Sequence, residues 1–181
     1  MTWSIRASSI HCWPRRITPF PTFPLTYKFI MSDEQPVFSI EKIYVKDLSI
    51  EVPNAPQVFL NRETPSIEVQ IQSNANTIGD GMFEVALTVT VSAKEGETAF
   101  FLVEVVKAGI FQIRNVPEQD MEPILAVACP NILFPYARET VSDAINRAGF
   151  PPVLLSPVNF EAIYQQRLMQ QQQGENKIQL Q

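Results

Sequence analysis

Four stretches of this chain alternate apolar and polar side chains with period two, and beyond residue 117 the period becomes helical. A half-buried strand requires the first pattern and an amphipathic helix the second, so the chain must fold as a run of strands followed by helices. The first stretch, Val37 to Val52, places Phe38, Ile40, Tyr44, Leu48, Ile50 and Val52 on one parity and Asp47, Ser49 and Glu51 on the other. Lys42, Lys46, Ile43 and Val45 break that parity, which predicts a bulge near residues 42–46. Ile67, Val69 and Ile71 alternate with Glu68, Gln70 and Gln72, and the following Ser73–Gly81 reads as a loop with Gly79-Asp80-Gly81 as its turn. The third strand turns Phe83, Val85, Leu87, Val89 and Val91 inward, and Lys94-Glu95-Gly96-Glu97 closes a hairpin. The fourth runs from Thr98 to about Val106, with a bend expected at Lys107–Ile110. Phe101, Val103 and Val105 lie on one parity and Phe100, Leu102 and Val106 on the other, so this strand is central or covered by another subunit.

Residues 117–128 and 131–148 read as helix, with Pro117, Glu118, Asp120 and Glu122 suited to a helix start. Pro123, Pro130 and Pro135 must kink or interrupt that run. Ala137, Val141, Ala144, Ile145 and Ala148 form one face, and Gly149 is a stop. An extended apolar linker covers 150–157, and a last helix starts near Asn159, an N-cap residue type. The fold class is therefore α+β: a four-stranded antiparallel sheet followed by two main helices packed on one face.

Residues 1–30 carry Arg6, Arg15, Arg16 and Lys28 and no acid, and prolines interrupt every apolar run. They fit neither a signal peptide nor a transit helix. They are expected to be a disordered N-terminal extension, or upstream sequence read from an early start codon before Met31. The domain is expected over 31–172, with a disordered glutamine-rich tail at 173–181. Of the 14 basic and 19 acidic residues, 10 and 19 fall in 31–181, a balance of −9. Such a body repels phosphate backbones, which argues against nucleic acid, and attracts basic protein surfaces. No stretch reaches the ~18 apolar residues of a membrane span, so direct membrane insertion is not expected.

His11 is the only histidine. The body thus lacks the base of a Ser-His-Asp or Cys-His site, and with Cys12 and Cys129 as the only cysteines it cannot close a zinc shell. The six glycines form no phosphate loop, no acid pair is spaced for acid–base work, and Cys129 reads as an inert buried thiol. The expectation is a binding protein without catalytic residues, metal or cofactor. Two surfaces stand out. Asp47, Glu51, Glu68, Glu84 and Glu104 fall on the polar parities, and by that reading no lysine or arginine joins them, which makes one sheet face acidic. A solvated face serving solubility competes about equally with a dock for a basic partner. The body also holds more apolar residues than two layers need, which points to oligomerisation or an apolar groove with Phe150, the linker and the last helix as one wall and the sheet edge or underside as the other.

These segments resemble the bacterial protein-export chaperone family SecB. The resemblance is carried by Ile43-Tyr44-Val45-Lys46-Asp47, Glu51-Val52-Pro53-Asn54-Ala55-Pro56, Glu97–Val105, Gly109-Ile110-Phe111, Pro157-Val158-Asn159-Phe160 and, above all, the run CPNILFPYARE at Cys129–Glu139. It implies a cytosolic, ATP-independent homotetramer, a dimer of dimers without cofactor. Such a protein holds unfolded preproteins in a translocation-competent state and delivers them to the SecA motor. By matching position, Asp47, Glu51, Leu102 and Glu104 would dock SecA, and Phe101, Val103 and Val105 would be buried under helix or subunit contacts. The expected client groove is Phe134, Tyr136, Phe150, Leu154, Phe160 and Tyr164; for Phe134 and Tyr136 plain core packing is an equal alternative. Two other readings compete: a SecB-like chaperone dedicated to one toxin–antitoxin partner, and a β-rich adaptor for folded basic proteins.

Overall fold

The computed structural model describes residues 35–178, so the expectations for residues 1–30 lie outside it. Four strands come first: β1 (Val37–Glu51), β2 (Ser66–Gly79), β3 (Met82–Glu95) and β4 (Thr98–Arg114). All neighbours are antiparallel, in the order β1-β4-β3-β2. Strands β2, β3 and β4 are joined by tight turns at Asp80-Gly81 and Gly96-Glu97, where Gly81 and Gly96 take φ of 66° and 56°. Residues 52–65 carry the chain from one sheet edge to the other, through a short 3-10 turn at Gln57–Leu60 that buries Val58.

Two strand boundaries differ from the sequence reading. Ser73–Thr77 is not loop: β2 continues through it, with Asn74 opposite Ala86 and Asn76 opposite Glu84. Its polar composition reflects an exposed edge strand, where alternation carries little signal. Lys107–Ile110 is not a bend either, because β4 runs unbroken from Thr98 to Arg114. Gly109 serves close packing there: a Cβ at that position would lie 2.7 Å from the Phe111 ring and 3.0 Å from Leu133.

The helical run consists of α1 (Glu118–Pro123), a wide π-helical stretch (Ile124–Ala128) and α2 (Cys129–Arg147). The prolines are absorbed rather than disruptive. Pro123 ends α1, Pro130 sits in the first turn of α2, and the carbonyl that its ring displaces, four residues back at Ala126, lies in the π stretch. Helix α3 (Phe160–Ile178) begins where the Asn159 side chain accepts a bond from the Ala162 N–H at 3.0 Å. Its backbone is helical to Ile178, through most of the segment read from sequence as a disordered tail. Leu133, Ala137, Val141 and Ile145 of α2 are fully buried and face Val85, Leu87, Val89 and Val91 of β3 and Phe101, Val103 and Val105 of β4. The core thus lies between α2 and the two central strands, and β4 is apolar on both parities because it is central.

Gly109→Val forces β4 away from α2 at its tightest point, and overpacking of this kind costs about 1–3 kcal/mol. Urea denaturation should show that loss as a lower midpoint with unchanged slope.

Candidate functional site

Directly paired residues of an antiparallel sheet share a face, so the register alone sorts the side chains. Glu51 pairs with Leu102, Ser49 with Glu104 and Asp47 with Val106, while Leu102 and Glu104 pair on their other side with Ser92 and Thr90. Asp47, Glu51, Leu102 and Glu104 therefore form one contiguous patch on the face away from the helices. Glu68, opposite Ser92, extends it. Leu102 is 39% exposed in its centre, and Glu104 accepts a bond from Thr90 Oγ1 at 3.2 Å. Among the described residues, no cation lies within 4.0 Å of these four acids. The opposite parity, Phe101, Val103 and Val105, is buried within the chain by α2, with no second subunit required.

The face is not free of cations, which corrects the parity reading. The expected bulge is double: the β1–β4 register shifts between Ile40 and Lys42 and again between Val45 and Asp47. Between these shifts Lys42 and Tyr44 join the outer face, opposite Ile110 and Ala108, while Ile43 and Val45 turn toward the helices. Lys46, at the second shift, reaches across the sheet to Glu84, with Nζ 2.7 Å from Oε2. Tyr44 Oη donates to the other oxygen of the same carboxylate. The Lys46 ammonium first, then the Tyr44 hydroxyl, holds the Glu84 carboxyl below the usual glutamate value, and the same bond raises the Tyr44 phenol above its own.

A further register shift lies between Ala93 and Lys94, whose partners are Phe101 and Ala99. Phe100 is the extra residue, so it turns to the helix side with Phe101, and both are buried. Sequence parity had assigned Phe100 to the outer face. The doublet walls an apolar depression of about 490 Å³ together with Val58, Phe59, Phe150 and Val153. Ring centroids of Phe150 lie 5.1 Å from Phe59 and 5.0 Å from Phe101. A second depression, of about 530 Å³, continues past the linker, between Ile67, Val69 and Ile71 of the β2 edge and Val153, Leu154 and Val158. The two share Ile67 and Val153, so they form an apolar channel beside an unpaired strand edge.

The six residues expected as a groove do not converge on one site. Phe150 and Leu154 (72% exposed) line the channel. Phe134 and Phe160 are buried edge to face, 5.9 Å apart, and belong mainly to the core, though Phe134 also meets Leu154 in the lining of a broader depression of about 760 Å³ along α2. Tyr164 lies in a small crevice beneath α3, and Tyr136 is 49% exposed. Ile67 and Val69 enter through the expected sheet-edge wall; missed by the sequence reading were Val58, Phe59 and Phe100, for which the adjacent phenylalanines 100 and 101 in an alternating strand were the one available signal. Cys129 is fully buried, and burial pushes its thiol up to about 12, which leaves it inert. No group of three or more His, Cys, Asp or Glu side chains is placed to hold a metal among the described residues. No helix among them is long and apolar enough to cross a membrane.

The module is thus an α+β sheet-and-helix domain with an acidic sheet face on one side and an aromatic channel on the other. Comparison with known proteins places it more narrowly. Residues 31–172 match the family model described as preprotein translocase subunit SecB. The chain is 65% identical over 139 residues to protein-export protein SecB of Dechloromonas aromatica, covering 77% of this chain and 91% of that protein. It is 66% identical over 142 residues to that of Chromobacterium violaceum, covering 78% and 95%. The fold is similar to a solved SecB-like chaperone of Mycobacterium tuberculosis in complex with a ChAD peptide from an antitoxin, with TM-score 0.55 at 18% identity over 67% of this chain and 90% of that one. The chain belongs to the SecB family, and its role is that of a chaperone in Sec-dependent protein export.

A depressed Glu84 pKa favours the folded state at pH values above the ordinary carboxylate range, and that contribution is lost as pH falls through the lowered folded value. The melting temperatures of wild type and Glu84→Gln should therefore differ at neutral pH and converge in acid.

Proposed function

We propose that the chain is an ATP-independent cytoplasmic holdase, assembled as a homotetramer of two dimers, that binds unfolded preproteins along the apolar channel and presents its acidic face to SecA. The observation that carries this reading is the placement of the two surfaces on opposite sides of one sheet. A client lying against Phe59, Phe150, Ile67 and Leu154 leaves Asp47, Glu51, Leu102 and Glu104 uncovered, so cargo and motor can be held together.

The physics suits unfolded chains. Apolar client side chains gain about 25 cal/mol for each Å² buried against the channel. Client backbone can pair with the exposed edge of β2 as an added strand. A folded protein offers neither feature. Repeated channels on a tetramer let one long chain engage several weak sites, raising avidity by roughly 10²–10⁴. The acids contribute mainly long-range attraction for a basic segment, so docking weakens with salt.

Light scattering behind size exclusion should give four times the chain mass, and that mass should rise with a denatured client but not with the same client folded. Leu154→Glu alters an exposed side chain, so stability should change by less than about 0.5 kcal/mol while affinity for denatured client falls. Glu104→Lys should abolish SecA capture in a pull-down and leave client binding intact. Normal capture by Glu104→Lys would remove the acidic face from the docking role.

A further inference from the structure

The outer sheet face holds one feature that docking does not account for. Lys46 precedes Asp47 directly, yet it pairs with neither Asp47 nor the acids beyond it. The β1 bulge and the carboxylate of Glu84 draw it away. The outer-face positions next to Glu84 and Ile110 are the paired alanines 86 and 108, and Tyr44, directly opposite Ala108, reaches the same carboxylate. Glu84 is a fixed anchor, only 13% exposed and bonded by Tyr44, whereas Lys46 is 46% exposed. Glu84 stands opposite Ile110, and Glu104 opposite Thr90, six residues along β3. That separation is about 20 Å, at roughly 3.4 Å per residue. Clamped there, the ammonium lies farther from Glu104 than the ~8–10 Å over which exposed charges act strongly in salt, and it is drawn toward Glu84 and away from Asp47, which is level with Val106 and Thr88. Released, it would belong to the neighbour of Asp47.

We propose that Glu84 is a positioning residue of the docking face, which sequesters Lys46 so that Asp47, Glu51 and Glu104 stay unpaired for a basic partner segment. This rests on the docking role of that face. Its distinctive consequence is non-additivity. If Glu84 merely added one negative charge, Glu84→Gln would cost the same whether or not Lys46 were present. If it restrains Lys46, its removal costs affinity only while Lys46 is there to move onto the acids.

The test is a double-mutant cycle of Lys46→Gln and Glu84→Gln in the full chain, read by fluorescence anisotropy of a short labelled peptide rich in lysine and arginine. Size exclusion of each variant against wild type ensures that only intact assemblies are compared. Glu84→Gln alone should weaken binding at low salt by roughly threefold or more, the scale of one exposed charge pair. Adding Lys46→Gln should restore wild-type affinity or better. Additive effects, or a double variant as weak as Glu84→Gln, overturn the proposal while leaving docking in place. Glu104→Lys serves as the control: if it binds the peptide as wild type does, the docking role and this inference fall together.

Discussion

Helix α2 lies across β3 and β4 through Leu133, Ala137, Val141 and Ile145, and this contact seals one side of the two central strands from water. The closeness of approach depends on Gly109, where no side chain separates strand from helix. Once that layer is closed, each strand residue has only two environments, dry or wet, and register decides which one it gets. The outer face is left polar and acidic, while the crossover and linker cover the helix side incompletely and leave the apolar channel beside β2.

Three register shifts then refine that division. Two in β1 carry Tyr44 and Lys42 outward and Ile43 and Val45 inward, which brings a lysine and a tyrosine onto Glu84. One where β4 begins doubles that strand's aromatic contribution to the channel, by turning Phe100 the same way as Phe101. Each inserts a single residue and changes the chemistry of a face without altering strand order.

In the proposed role, the arrangement separates two kinds of binding. The channel is apolar, lies beside an unpaired edge and is indifferent to sequence. The acidic face is charged and acts at longer range. Their placement on opposite sides lets each work without competing for the same side chains.

Much of this was legible in the chain itself. Period-two alternation in Ile67–Gln72 and Phe83–Val91, and the helical spacing of Ala137, Val141 and Ile145, set the α+β order, because burial on one side imposes a period that composition cannot hide. Five acids on the polar parities marked one sheet face as acidic, and the run Cys129–Glu139 carried the resemblance to the family. The tertiary structure alone decided where alternation slips. A bulge costs one residue and leaves no compositional trace, so Lys46 and Phe100 were assigned to the wrong face. It alone also decided which aromatics are walls and which are core: Phe134 and Phe160 pack against each other, whereas Phe59 and Phe150 meet across residues 60–149. A groove made from segments distant in sequence depends on how those segments pack, and local periodicity carries no information about that.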